Sequence, residues 1–252
     1  MKIFIKFSYC GTAYSGYQVQ NNAPTIQGEL NKALYDLFGF ECDITGCSRT
    51  DAGVHALNFC ATVSERGKPG IQTNIPMNKL PFALNVRLPA DIAVFHASWV
   101  DDEFHARYSV KSKTYVYRIL NTQQRDPFEF NRAYHYPLVL TDNSLLKMQA
   151  AANLICGKRD FSAFMAAGSS VNSTVRNVTE CRVDRVGDII EITICADGFL
   201  YNMVRIICGT LLEVAKDALS PDQITQIIES KNRSQAGPTL PACGLYLKEV
   251  TY

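Results

Sequence analysis

The chain has 252 residues, of which 47% are hydrophobic and 19% charged, and its formal net charge is only +1. This composition, without low-complexity tracts or charge blocks, is typical of one large globular domain or two of ordinary size. No apolar run approaches the roughly 20 residues that a membrane-spanning helix needs, so we expect no membrane contact. The nine cysteines form no CxxC pair and the four histidines lie far apart. We therefore expect free thiols in a reducing cytoplasm and no bound metal.

The first hundred residues follow strand and helix patterns in turn. Ile3, Ile5 and Phe7 alternate as in a strand, and apolar residues at helical spacing between Thr25 and Gly39 predict a capped helix. Further patterns predict strands at 41–45, 54–63 and 92–100 and a short helix at 76–85. The resulting order, β-α-β-β-α-β, is that of the ferredoxin-like unit.

The same order returns in the rest of the chain, with one helix added. Strands are predicted at 114–120, 178–186, 189–196 and 245–250, and a long loop at about 121–140. Helices are predicted from Thr141 or Asp142 to Gly157, around residues 203–214, and after the capping box that Ser220 opens. We therefore predict an α+β protein of two ferredoxin-like halves, residues 1–101 and 102–252, with a catalytic cleft between them.

A cation and a carboxylate share the turn between the second and third predicted strands. Arg49 and Asp51 are two residues apart, so their side chains can lie on the same side, and Gly53 permits a sharp turn. An arginine beside an aspartate favours the ionised carboxylate, which can act as a nucleophile or general base. A loop salt bridge without catalytic function is the alternative that the spacing leaves open.

Other candidates are weaker, since the sequence has no Walker loop, GxGxxG, GxSxG or HExxH motif. His55 lies on the apolar face of its predicted strand and is interpreted as a buried structural histidine. Cys47 lacks a histidine base in a recognisable motif and is interpreted as inert. Arg205 sits early in a helix, where the dipole disfavours a cation, which indicates a carboxylate or phosphate partner or else a buried ion pair.

Basic and aromatic residues alternate between Arg107 and Arg132. The residues between these two arginines are Tyr108, Lys111, Lys113, Tyr115, Tyr117, Arg118, Arg125, Phe128 and Phe130. Such interleaving suits a groove that binds phosphates and stacks bases. An ordinary strand with solvated lysines on one side would give the same pattern.

Five blocks, in order along the chain, resemble the family of bacterial tRNA pseudouridine synthase A. The central block is Ser48–Ala56, which resembles the signature of that family. The others are Tyr14–Gln20, Phe104–Ser109 with Lys113–Tyr117, Phe199–Arg205 with Gly209, and Gly244–Leu247. Small departures occur: Ser48 stands where many members have glycine, and Thr114 stands where some have arginine.

The resemblance implies an isomerase without a cofactor that converts uridine to pseudouridine at positions 38, 39 and 40 of the tRNA anticodon stem-loop. It implies the pseudouridine synthase fold, a homodimer, and tRNA as the partner. Asp51 would be the nucleophile, attacking C6 of the base or C1′ of the sugar, and Arg49 would pair with it and help to place the flipped base. Tyr115 would stack on the target base and assist proton removal, Arg205 would hold the aspartate or a phosphate, and Leu245 would line the pocket.

Three other functions are compatible with parts of this pattern. A non-catalytic RNA-binding module on the same fold would not need Asp51, and its usual exposed aromatic motifs are not found in the sequence. A hydrolase acting through Asp51 would need a second acid about 5–10 Å away, and no obvious one occurs. A related synthase could perform the same chemistry on another RNA.

Overall fold

A computed structural model describes residues 1–168 and 171–252 of the chain. The elements up to residue 111 are β1 (Lys2–Tyr9), α1 (Ile26–Phe38), β2 (Cys42–Gly46), β3 (His55–Glu65), α2 (Leu80–Asn85) and β4 (Ile92–Val100). Those that follow are β5 (Ser112–Leu120), β6 (Tyr134–His135), α3 (Asp142–Ile155), β7 (Gly157–Asp160), β8 (Val175–Val186), β9 (Ile189–Ala196), α4 (Met203–Ala215), α5 (Gln223–Ser230) and β10 (Leu245–Thr251). The prediction of an α+β protein is confirmed.

The chain forms two compact units. The first comprises Met1–Lys111 together with Tyr246–Tyr252, and the second comprises Ser112–Leu245. Nearly all of β10 therefore belongs to the first unit. The division of the chain into halves at 101/102 and the cleft expected between them stay predictions. Across the described residues, no helix has the length and apolar character required to cross a membrane.

The sheet of the first unit has the strand order β4-β1-β3-β2, and every neighbouring pair is antiparallel. Its element order is the predicted β-α-β-β-α-β. β10 adds a parallel pairing to β3, in which Tyr246 faces His55. The strand alternation predicted for β1 is observed, since Ile3, Ile5 and Phe7 are fully buried.

Helix α1 begins and ends where its capping residues predict. The side chain of Thr25 accepts a hydrogen bond from the backbone N–H of Gly28, which satisfies a donor left free in the first turn. Gly39 ends the helix in the left-handed conformation. Leu30 and Leu34, one turn apart, are buried on the same face. Local capping chemistry and apolar spacing therefore determine this element together.

The sheet of the second unit has the strand order β5-β9-β8-β7, all antiparallel, and β6 pairs with β5 in parallel. The β8–β9 hairpin turns at Gly187, between the strands predicted at 178–186 and 189–196. Helix α4 is buried along almost its whole length, which places it in the core of this unit. Helix α3 ends at Ile155, short of the predicted Gly157, because Gly157 begins β7.

Candidate active site

The turn that carries Asp51 lies between β2 and β3 and is closed by its own backbone. The N–H of Cys47 donates to the carbonyl of Cys60 at 2.9 Å, and the N–H of Val54 donates to the carbonyl of Asp51 at 3.2 Å. Gly53 has a φ of 78°, in the left-handed region that glycine adopts readily. The carbonyl of Asp51 is thus fixed within the turn, so its carboxyl group projects from a defined backbone position.

A second segment, Tyr14–Tyr17, holds the same turn from outside. The N–H of Tyr17 donates to the carbonyl of Thr50 at 3.2 Å, and the N–H of Gly53 donates to the carbonyl of Tyr14 at 3.3 Å. These bonds hold the residues on both sides of Asp51. The Thr50 hydroxyl shares a further hydrogen bond of 2.8 Å with the Tyr9 hydroxyl.

Gly16 lets the two segments approach this closely. Its φ is 96°, and a Cβ atom at this position would lie 2.5 Å from the carbonyl oxygen of Thr50. Any other residue would therefore push the turn away. The sequence gives a signal for this contact, a glycine between two tyrosines, but the partner that it contacts is visible only in the structure.

The turn also rests on buried apolar and aromatic side chains. The Tyr17 ring stacks on Phe59, with centroids 4.4 Å apart and planes at 25°. Burial raises the pKa of the Tyr17 hydroxyl well above its usual value. Cys47 is also fully buried, which agrees with its interpretation as an inert thiol. This layer therefore supports the turn by packing.

His55 is structural, as its apolar strand position predicts. It is 2% exposed, its Nδ1 accepts a hydrogen bond of 3.0 Å from the N–H of Gly11, and its ring stacks on Tyr246 at 4.5 Å. The Gly11 contact fixes which ring nitrogen is the acceptor. His55 therefore ties three parts of the first unit together just after the turn that carries Asp51.

Asp51 is partly exposed and Arg49 is exposed. Thr50, which lies between them, is anchored through both its hydroxyl and its carbonyl. The roles of Arg49 and Asp51 in the reaction stay predictions.

Tyr115 occupies the middle of β5 in the second unit, opposite Ile194 of β9. It is 6% exposed, and its ring meets that of Phe199 edge to face, with centroids 5.0 Å apart and planes at 83°. Such a contact favours one orientation of the ring. Phe199 is a residue that sequence reasoning placed in a block but gave no role.

Arg205 lies in the first turn of α4. Its Nε donates to the carbonyl of Leu240 at 2.7 Å, and one terminal nitrogen donates to the side-chain oxygen of Asn202 at 2.7 Å. Asn202 itself adopts a left-handed φ of 59° at the start of the helix. Two neutral acceptors therefore orient a guanidinium that the helix dipole disfavours.

Leu245 is the first residue of β10 and is 7% exposed. The preceding Gly244 packs directly on the Tyr117 ring, since a Cβ atom there would lie 2.7 Å from that ring. The Tyr117 hydroxyl donates to the carbonyl of Pro241 at 2.7 Å, and burial raises its pKa. These contacts position Leu245 within the second unit.

The predicted site residues thus fall into two groups. Arg49 and Asp51 share one turn of the first unit, while Tyr115, Arg205 and Leu245 belong to the second. Among the described residues, no group of three or more histidine, cysteine, aspartate or glutamate side chains could hold a metal ion.

Comparison with known proteins gives one consistent family. The sequence model of a family described as tRNA pseudouridine synthase matches residues 6–109 and 151–252. The chain is 45% identical over 252 residues to tRNA pseudouridine synthase A of Thermoanaerobacter sp., with 99% of each protein covered. It is 45% identical over 245 residues to that of Acetivibrio thermocellus, covering 97% of this chain and 96% of the relative. Identity to that of Clostridium acetobutylicum is 40% over 248 residues, with 98% of each covered.

Proposed function

This chain belongs to the tRNA pseudouridine synthase family and isomerises uridine to pseudouridine in tRNA, and we propose that it does so with Asp51 as the covalent nucleophile, at positions 38, 39 and 40 of the anticodon stem-loop. The observation that carries the proposal is the fixed turn around Asp51. Hydrogen bonds from Tyr14–Tyr17 hold Thr50 and Gly53, on either side of a partly exposed carboxyl group. A nucleophile needs such a defined position more than it needs a particular fold.

The proposed reaction exchanges one bond for another. The Asp51 carboxylate attacks the target nucleotide at C6 or C1′, and the N1–C1′ bond breaks. The uracil turns, C5 bonds to C1′, and the bond between Asp51 and the nucleotide breaks, which regenerates the carboxylate. C5 then loses its hydrogen as a proton, and N1 gains a proton. Atoms and electrons balance within the nucleotide, so the isomerisation consumes neither water nor an electron acceptor.

A stacked uridine hides the atoms that Asp51 must reach, so the target base has to leave the stack. Unstacking costs a few kcal/mol, and the enzyme must offset it by new contacts. We assign Tyr115 to the face of the flipped base, with its ring held by Phe199. Leu245 then lines the same pocket, and Arg205 holds a carboxylate or phosphate.

We assign Arg49 a contact with the RNA. It is exposed two residues from Asp51, and its turn is anchored through Thr50, so its cation is presented beside the nucleophile. A guanidinium suits a phosphate oxygen because its fork of N–H donors can bind two oxygens at once.

The proposal extends to the assembly and compartment. The resemblance to the family supports a homodimer, which light scattering coupled to size-exclusion chromatography would measure directly. All nine cysteines are free thiols, which supports a reducing cytoplasm. Fractionation of cells that carry a tagged protein tests the compartment.

The decisive experiment compares wild type with Asp51→Ala and Asp51→Asn on unmodified tRNA. Pseudouridine is measured by carbodiimide modification and primer extension, and binding is measured on filters. We expect both variants to lose product formation and to keep tRNA affinity. Asp36→Ala, which removes an exposed carboxylate from α1, is the matched control and should behave as wild type.

Transcripts with a single uridine at position 38, 39 or 40 test the substrate. Full activity of Asp51→Ala would overturn the assignment of Asp51 as the nucleophile. Product formed only at other positions, or only in another RNA, would overturn the assignment to the anticodon arm.

A further inference from the structure

The loop that follows β5 contains a short turn of defined geometry. The Asp126 carboxylate accepts a hydrogen bond of 2.8 Å from the N–H of Phe128, which caps a 3-10 turn at Pro127–Glu129. Arg118 of β5 makes two parallel bonds to the Glu129 carboxylate, at 3.1 and 3.2 Å. Bidentate pairs of this kind fix orientation as well as charge. The turn is therefore braced against the sheet.

The two ends of this loop are also tied to one another. β6 pairs with the end of β5, and the His135 ring nitrogen lies 2.9 Å from the carbonyl of Thr122. Asn131 takes a left-handed φ of 57° and turns the chain back toward β6. The segment expected from sequence to be an irregular loop is thus an ordered projection from the second unit.

Two phenyl rings cap this projection. Phe128 is 85% exposed and Phe130 is 73% exposed, although the backbone that carries them is fixed. Aromatic rings contribute large apolar areas when they are buried, so a braced turn that presents two of them to solvent indicates a binding surface. We name these two rings the phenyl tip.

The charges around the phenyl tip favour RNA over an apolar protein face. Arg125 and Arg132 are exposed on either side of it in sequence. The Glu129 charge is paired with Arg118, and the Asp126 carboxylate caps the turn. Asp126 is exposed and keeps its negative charge, so the charges nearest in sequence are mixed. The two exposed arginines still supply cations for neighbouring phosphates beside rings that can stack on bases.

The structure also divides the basic and aromatic stretch that the sequence singled out. Tyr115 and Tyr117 are buried, so they cannot form part of one open surface with the phenylalanines. The exposed members in the second unit are the phenyl tip and its flanking arginines. The RNA-binding pattern is thus concentrated at one projection.

We propose that the phenyl tip stacks on an unpaired base of tRNA outside the target nucleotide, with Arg125 and Arg132 on adjacent phosphates. Stem nucleotides are paired and stacked, so the base in question belongs to a loop or junction. This inference rests on tRNA as the substrate. In this proposal the phenyl tip contributes to the affinity for tRNA, and Asp51 performs the isomerisation.

The test compares wild type with the double variant Phe128→Ala/Phe130→Ala. We expect the Kd for unmodified tRNA to rise roughly tenfold or more, as loss of base stacking does elsewhere. Turnover at saturating tRNA should stay unchanged. Phe128→Tyr/Phe130→Tyr should retain affinity because its rings still stack. Phe82→Ala, which removes a 70% exposed ring from the first unit, should leave affinity unchanged.

Arg125→Ala adds a test of the phosphate contact. The slope of log affinity against log salt should fall by about 0.7–0.9 when one phosphate contact is lost. An unchanged Kd in the double alanine variant, with a wild-type unfolding temperature, would refute the proposal. Loss of a dimer in that variant, seen by light scattering, would assign the phenyl tip to a second copy instead. Binding is measured without turnover, so absence of pseudouridine in wild type would count only against the proposed function.

Discussion

Replacing Gly16 by alanine should displace the turn that carries Asp51 without unfolding the protein. The new Cβ would lie 2.5 Å from the Thr50 carbonyl oxygen, a separation that both backbones must relieve by moving apart. A residue with a Cβ at this positive φ also costs about 1–2 kcal/mol. Thr50 immediately precedes Asp51, so the movement reaches the proposed nucleophile. A misplacement near 1 Å can cost about 10²-fold in rate, and we expect kcat to fall by about 10- to 100-fold.

The assay is single-turnover pseudouridine formation at saturating tRNA, with thermal unfolding measured in parallel. In a chain of this size we expect a shift in Tm of only about 2–4 °C for each kcal/mol lost. Gly67→Ala is the matched control, because its φ is 75° and nothing lies within 4 Å of an added Cβ. Wild-type turnover in Gly16→Ala would refute the reasoning, and so would an equal loss in Gly67→Ala.

Two further predictions concern the second unit. Tyr115→Phe removes only a hydroxyl from a ring that Phe199 orients, so turnover should fall more than tRNA affinity; unchanged turnover would remove Tyr115 from the chemistry. A hydrogen bond from Thr174, then the Lys231 ammonium 3.1 Å away, lowers the pKa of Asp160 to about 2 from 3.8. The stabilisation is therefore complete above pH 3.8 and is lost as pH falls toward 2. Asp160→Asn should lower the free energy of unfolding by about 2 kcal/mol at neutral pH and by little at the acid end, which urea titrations at several pH values would measure. An equal destabilisation at both ends would contradict this origin.

The regular elements were predictable because local rules determine them. Thr25 and Gly39 cap α1 where the pattern places them, and the β8–β9 hairpin turns at its glycine. β6 and β7 were missed, since two and four residues are too short to show a period. Leu57 lies two residues after His55 in the predicted strand 54–63 and thus on the same face, but it is 50% exposed, because burial depends on which neighbours cover that end of β3.

At the site, the candidate residues could be selected from the sequence, but the contacts that hold them could not. Asp51 could be selected by its resemblance to a family signature, but the supports of its turn, Tyr17 and Gly16, lie more than thirty positions earlier. Spacing suggested that Arg49 and Asp51 lie on the same side of the turn, but it gave no sign that the residue between them, Thr50, is anchored to Tyr9 and Tyr17. Long-range hydrogen bonds decide such geometry, and periodicity carries no information about them.

The pairing of β10 with β3 has a consequence for synthesis of the protein. Tyr246 stacks on His55, next to the turn that carries Asp51, and the Tyr252 ring packs on Phe4 and Phe104. Residues 246–252 leave the ribosome only after all of 112–245 has been made. A nascent chain that already displays Asp51 therefore lacks one strand of the unit that holds it. The fold itself delays completion of that unit until residues 112–245 have been made.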